Sequence, residues 1–281
     1  MTNEKYDPRF NMVFRVALVF IFFTTWSGYF ATLQTVHATA AADAPVPLLK
    51  KGHPVDWWFI FKFNAKVFPG CGEDATRDCP FGGKVRAYKS AFSQQFVFAS
   101  SEDETLQKGS GCTGDTTDEP LGATFDEVYN NSYFFVIWND QFYDAPPIAS
   151  CVKFCSGPWG HSKGMLVWND AGEGLVLQVT TPSWPGAGSK AFPRENDGNT
   201  LGCVIDNNVK VSQYFFALRL TKDDVLTVLK ALQNASVATD PKNPQIVNNG
   251  GPEDIQLLVN TLSASGGILP VNWRDSFWTL T

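Results

Sequence analysis

Hydrophobic residues along this chain come in short dense blocks separated by turn formers, and the period within each block decides which element it predicts. "PVDWWFIFKF" (54–63) is aromatic and β-branched, lies between turn residues, and reads as a buried strand. "AFSQQFVFAS" (91–100) reads as another strand, and "SYFFVIWND" (132–140) as a third that ends in a polar Asn139-Asp140-Gln141 corner. "GMLVWND" (164–170) and "GLVLQVTT" (174–181) predict two strands joined by a turn around Asp170-Ala171-Gly172. "VSQYFFALRL" (211–220) is a further strand or a short helix. The period changes at "TKDDVLTVLKALQNAS" (221–236), where Val225, Leu226, Leu229 and Leu232 line one helical face. Thr221 is placed to cap that helix, and Asp224 stands three residues later. "EDIQLLVNTLSAS" (253–265) predicts a second helix after the linker-like "DPKNPQIVNNGGPED" (240–254). Residues 70–83 and 101–122 read as loops, the second of them acidic, and the chain ends on the strand-like "NWRDSFWTLT".

One apolar block has a different meaning. "VALVFIFF" (16–23) follows Arg9 and Arg15 and leads through small and polar residues to Ala38-Thr39-Ala40, the pattern of a secretory signal peptide with its cleavage site. An uncleaved anchor over Phe14–Leu33 is the alternative, but Thr24, Thr25, Ser27 and Gly28 dilute that span. All six cysteines (Cys71, Cys79, Cys112, Cys151, Cys155, Cys203) lie beyond the signal, and an even number in an exported chain reads as disulfides with the pairing open. Asn130-Asn131-Ser132 and Asn234-Ala235-Ser236 have the form of glycosylation sequons.

Composition then narrows the function. Hydrophobic content of 44% in 281 residues is that of a globular chain with a substantial core, and 9 Trp and 23 Phe serve either a packed interior or a stacking surface. The net charge is −6, and the first 40 residues carry one net positive charge (Lys5, Arg9 and Arg15 against Glu4 and Asp7), so −7 remains beyond them. Such a chain repels nucleic acid at neutral pH, and the repulsion fades towards pH ~5 as carboxylates take up protons.

The candidate chemistry lies in "GHSKG" (160–164). His161 and Lys163 are two residues apart on an extended segment, so both side chains point to one side, and Gly160 and Gly164 are expected to leave room for a phosphate to approach the backbone. A zinc site from Cys151, Cys155, His161 and Cys203 is also conceivable, but an oxidising compartment favours disulfides, so no metal or other cofactor is expected.

His-x-Lys alone recurs by chance, and its surroundings carry the weight. "PVDWWFIFK", "NNSYFFVIWNDQ", "GHSKGMLVWNDAGEGLVLQVTTPSWPG" and the following Cys203 occur in this order. Together they resemble the deoxyribonuclease II family, which pairs a "PVDWF"-type first strand with a "YNDQ"-type corner and an "HTKG" motif running into a glycine-turned strand pair. The resemblance covers roughly residues 51–281. It implies an α/β, phospholipase-D-like fold with a mixed sheet, flanking helices and two similar halves, each giving one His-x-Lys to a shared site. It also implies an exported, metal-independent acid endonuclease that leaves 3′-phosphates on DNA through a phosphohistidine. On that reading His161 and Lys163 are catalytic, and Asn139, Asp140, Gln141 and Lys62 are candidates to bind substrate.

The sequence departs from the family pattern in one respect. Its histidines are His37, His53 and His161, and neither of the first two begins a His-x-Lys. The expected organisation is a signal at 1–40, a first half at 41–236, and a linker with the truncated start of a second half at 237–281. The chain then supplies one of two half-sites, completed by a longer product or by a second copy in a homodimer. The alternative function is an inactive secreted protein that binds nucleic acid or another partner on the same scaffold. His53 is expected at the surface or hydrogen-bonded, and Trp168 and Trp184 either pack in the core or stack on bases.

Overall fold

The strand-forming blocks pair into a sheet, and the chain order of the blocks is not their order in space. In this computed structural model the described residues are 44–62, 96–142, 146–148, 155, 159–193, 201 and 212–262. All belong to one compact unit, Ala40–Thr281; the unit Met1–Thr39, with the expected signal, lies outside the described residues, as do the loop 70–83 and the closing segment 272–281.

Strands β1 (Leu48–Lys50) and β2 (His53–Pro54) form a small antiparallel pair. The large sheet contains β3 (Trp57–Lys62), β4 (Phe96–Ser100), β5 (Gln107–Lys108), β6 (Phe134–Asn139), β7 (Lys163–Trp168), β8 (Gly174–Val179), β9 (Gln213–Leu220) and β10 (Val247–Asn248). Their spatial order is β10-β6-β7-β8-β9-β3-β4-β5, and every ladder is antiparallel. Among the described residues, parallel pairing is confined to the isolated bridge between Gly160 and Val237. Three helices accompany the sheet: α1 (Pro120–Asn130), α2 (Lys222–Asn234) and α3 (Glu253–Thr261). The chain is thus of α/β class.

Directly paired residues of antiparallel strands share a face. One face therefore carries Trp58 and Ile60 of β3, Phe215 and Ala217 of β9, Leu175, Leu177 and Val179 of β8, Met165 and Val167 of β7, and Phe135 and Ile137 of β6. All are buried. Helix α1 lies over this face: the Thr124 hydroxyl accepts from Trp58 Nε1 (3.0 Å) and from the Leu48 amide (2.9 Å), and the Phe125 ring meets Trp184, which in turn meets Phe215 edge-on. On the other face Trp168 Nε1 donates to the Gly250 carbonyl (3.0 Å) just ahead of α3, and α2 packs on α3, β8 and β9. Covered on both sides, β7 is buried at every position.

Helix α2 begins as its sequence specifies. The Thr221 side chain accepts from the Asp224 amide, and the Asp224 carboxylate accepts from the Thr221 amide at 3.0 Å, a reciprocal cap. Such a cap contributes on the order of 1 kcal/mol. Val225, Leu229 and Leu232 face inward, and Leu226 is half-buried. Residues 237–262, expected as linker and start of a second half, contribute β10 to the edge of this sheet and α3 to the α2 layer.

The acidic stretch 101–122 differs from a plain loop. It contains β5 and turns into α1, whose first amides are capped by Glu119: its carboxylate accepts from Leu121 N (3.1 Å) and Gly122 N (2.5 Å). Pro120 occupies the first turn, where its missing N–H is not needed. Glu119 is buried. Desolvation raises its carboxyl to a pKa of about 8, against the opposing pull of the backbone N–H groups of Gly122, Leu121 and Gly114.

A raised carboxyl pKa means that the folded chain holds a proton the unfolded chain releases. Glu119 thus adds stability that is complete below pH about 4.5 and lost as pH rises through about 8. Thermal unfolding should show wild-type protein losing stability between pH ~5 and ~7 relative to Glu119→Gln, whose amide oxygen still caps α1. Parallel curves for the two proteins would show that Glu119 is ionised in the fold.

Candidate active site

The site is built at the end of the sheet where the hydrophobic face turns polar. Strand pairing sets Asn139 at the end of β6 opposite Lys163 at the start of β7, so both side chains project on the α1 face. Farther across, Lys62 at the end of β3 stands opposite Gln213 at the start of β9, again on that face. All four are buried.

Asp140, one residue beyond β6, joins the motif together. Its Oδ1 accepts from Lys163 Nζ at 2.7 Å, and its Oδ2 lies 2.6 Å from His161 Nδ1. Burial of the three side chains is unequal: Asp140 is 5% exposed, Lys163 4% and His161 77%. With Nδ1–H donated to the carboxylate, the second ring nitrogen, Nε2, is left as the acceptor on an imidazole open to solvent. A lysine has three N–H donors, so the bond to Asp140 leaves Nζ two more for an anion.

The backbone around the motif is held from several directions. Gly160 N donates to the Ser236 carbonyl (3.0 Å), and Ser162 N donates back to the Gly160 carbonyl (2.9 Å), a tight turn that presents His161 outward. Trp138 Nε1 donates to Ser162 Oγ (3.0 Å), and Gln178 Nε2 to the Lys163 carbonyl (2.7 Å). The Asp140 carbonyl accepts from Cys155 N at 2.6 Å.

The glycines have a packing function in the fold. A Cβ on Gly164 would strike the Trp138 ring and the Leu177 carbonyl, and one on Gly160 would strike the Ala235 carbonyl. Both are therefore needed for close packing of the chain on itself.

The other expected site residues are distributed as follows. Asn139 is fully buried; its Nδ2 donates to the carbonyls of Thr181 and Trp184 (3.3 Å each), and its Oδ1 accepts from Gln141 N (2.8 Å). The Gln141 carbonyl accepts from Ser183 N at 2.9 Å. Asn139 and the Gln141 backbone therefore clamp the segment after β8 to the end of β6. Lys62 is completely buried rather than solvated at a strand end, with Nζ donating to Gln213 Oε1 (3.1 Å), and burial lowers its pKa to about 7. His53 lies on β2, half-exposed, with Nε2 2.8 Å from Glu102 Oε1. Trp168 and Trp184 are buried. Among the described residues no cluster of His, Cys, Asp and Glu is suited to a metal ion, and none of their helices is long and apolar enough to cross a membrane.

Asp140 as the shared partner of both motif residues had one sequence signal, its place in the polar corner after a strong strand. Gln213 as the partner of Lys62, and Ser162 as the acceptor for Trp138, had none, because each depends on the sheet order.

A solvent-facing imidazole thus stands backed by a buried carboxylate beside a lysine, at the end of an antiparallel sheet. The family model of deoxyribonuclease II matches residues 47–239, well over half of the sequence, and the chain belongs to that family. It is similar to plancitoxin-1 of Acanthaster planci, with 24% identity over 62% of this chain and 44% of that protein. It is also similar to deoxyribonuclease-2-alpha of Rattus norvegicus, at 30% identity over 54% of this chain and 39% of that protein, and of Mus musculus, at 27% over 62% and 46%. The chain thus spans less than half the length of these relatives.

Breaking a buried ion pair from one side leaves the other charge stranded, which costs about 3–5 kcal/mol. Asp140→Asn and Lys163→Met should each destabilise the fold on that scale in denaturant titrations. The double variant should lose clearly less than the sum of the two, and strict additivity would mean that the pair carries no coupling.

Proposed function

We propose that this chain carries one half-site of a deoxyribonuclease II-type acid endonuclease, acting on DNA without a metal ion. The observation that carries the reading is the single buried carboxylate of Asp140 held between His161 and Lys163. Asp140 fixes the imidazole with Nε2 outward, as a nucleophile requires. In the first step Nε2 of His161 bonds to phosphorus while the bond from phosphorus to the 5′-oxygen breaks. A protonated imidazole from the other half-site gives that oxygen its proton. Water then attacks the phosphohistidine, frees Nε2 and leaves a 3′-phosphate. Lys163 Nζ stabilises the growing charge on the non-bridging oxygens. An ammonium 2.7 Å from the carboxylate takes the place a divalent cation would occupy, and it repels one.

Asp140 and Asn139 are buried beneath His161 and Lys62 is buried farther along the same face, so substrate contact falls to His161 and Lys163 more than to Asn139 or Lys62. The second imidazole comes from a longer product or from a second copy of the chain. Export fits the reading, because a signal over residues 1–40 and disulfides from the buried Cys112 and Cys155 suit an oxidising, acidic compartment. A non-catalytic binding protein on the same scaffold is the second reading, favoured by the single His-x-Lys in the sequence.

Plasmid nicking by the purified chain at pH ~5 in EDTA tests this directly. Activity should fall by at least ~10³-fold in His161→Ala, with folding of the variant verified by thermal unfolding because the lost ring is a partner of the buried Asp140, and should decline as pH rises past ~6.5. Nicking that survives His161→Ala refutes the assignment. Folded chain with no activity above the variant favours the binding protein, unless adding a second half-site restores cleavage.

A further inference from the structure

Beside the candidate active site lies a cavity that the chemistry at His161 does not use. It has a volume of about 220 Å³ and opens between α1 and the segment that follows β8. Its walls include Phe125, Tyr129, Trp184 and Leu121, with Gly122 and Gly186. Phe125 and Tyr129 stack with centroids 5.4 Å apart and planes 27° apart, and Phe125 meets Trp184 at 5.0 Å. Phe125 and Tyr129 are half-buried, while Trp184 and Leu121 form the closed floor.

Three features of this cavity select its occupant. It is smaller than the ~300–1,000 Å³ of sites that take drug-sized ligands, so it suits one flat ring system and not a sugar chain or a peptide. Its walls are aromatic, offering π-faces that a planar heterocycle uses better than an aliphatic chain does. One of its walls is also tied to the active site: the carbonyl of Trp184 accepts from Asn139 Nδ2, and the residue after Asn139, Asp140, holds His161 and Lys163.

We propose that the Phe125–Tyr129–Trp184 cavity binds one unstacked nucleobase of the strand being cleaved, close to the scissile phosphate. The proposal rests on the nuclease reading above and adds to it a site that holds the strand by a base, with no charge involved. Stacking is tolerant of base identity, so the cavity holds the strand without selecting a sequence. It requires a base to leave the duplex stack, which is easiest in single strands, at frayed ends and at mismatches.

The test uses the full-length His161→Ala chain at pH ~5 in EDTA, with fluorescently labelled single-stranded oligodeoxynucleotides followed by anisotropy. A single abasic residue is moved stepwise along the strand, whose one fixed register is set by a terminal phosphate. Binding should weaken about tenfold at one position and little elsewhere. Phe125→Leu, which keeps apolar volume but removes the ring, should weaken the intact strand by a similar factor and erase the position effect. Its thermal unfolding, compared with the parent, separates lost stacking from lost fold. Tight binding that is indifferent both to the abasic position and to Phe125→Leu overturns the base site and leaves the nuclease reading standing. If the folded protein binds no DNA at all, the nuclease reading fails and the base site fails with it.

Discussion

A carboxylate that is 95% removed from water has to be compensated on both of its oxygens, and that requirement at Asp140 organises the whole end of the sheet. One oxygen takes a buried ammonium and the other takes the imidazole that faces solvent. For these contacts to form, β6 and β7 must end in register, with Asn139 opposite Lys163. The segments on either side must also be pinned, which the Ser236, Ser162 and Cys155 contacts achieve. The reactive group is thus held by its buried neighbour and not by its own packing, so a side chain with three-quarters of its surface in water still keeps one orientation.

Polarity elsewhere on the sheet follows the same geometry. The α1 face is apolar through Trp58, Ala217, Leu177, Met165 and Ile137, then turns polar in a stagger: Asn139 and Lys163 stand in register with Val179, Phe215 and Ile60, and Gln213 and Lys62 one step farther along. The buried Nε2 of Gln213 and Oγ1 of Thr181 have no protein partner at that end. Concentrating polar groups at one end leaves most of the remaining sheet face apolar. The same end carries the candidate catalytic pair, His161 and Lys163. Lys62 lies deepest, where burial weakens its hold on a proton.

Much of this was legible in the sequence, and the exceptions share a cause. The strands at 57–62, 134–139, 163–168 and 174–179 and the capped helix at 222–234 follow from local period and turn chemistry. Helix α1 was not, because a glutamate caps it in place of the usual short side chains and Gly122 and Thr124 weaken its pattern. Proline at its first turn was the signal available. At the site, the motif itself was visible, but the functions of Gly160, Gly164, Asn139 and Lys62 depend on which strands become neighbours. Sheet order is a long-range property, and no local pattern encodes it.

That sheet order has a kinetic side. Strand β3, near the beginning of the described chain, is flanked by β4 and by β9, and the Lys62–Gln213 bond closes a separation of 151 positions. While the ribosome works through the intervening residues, one flank of an aromatic strand stays unpaired. Loop closure over such distances is slow, and exposed strand edges invite misassociation. Pairing along that flank of β3 waits for residues 213–220, and until they arrive an aromatic strand is an open edge of the growing sheet.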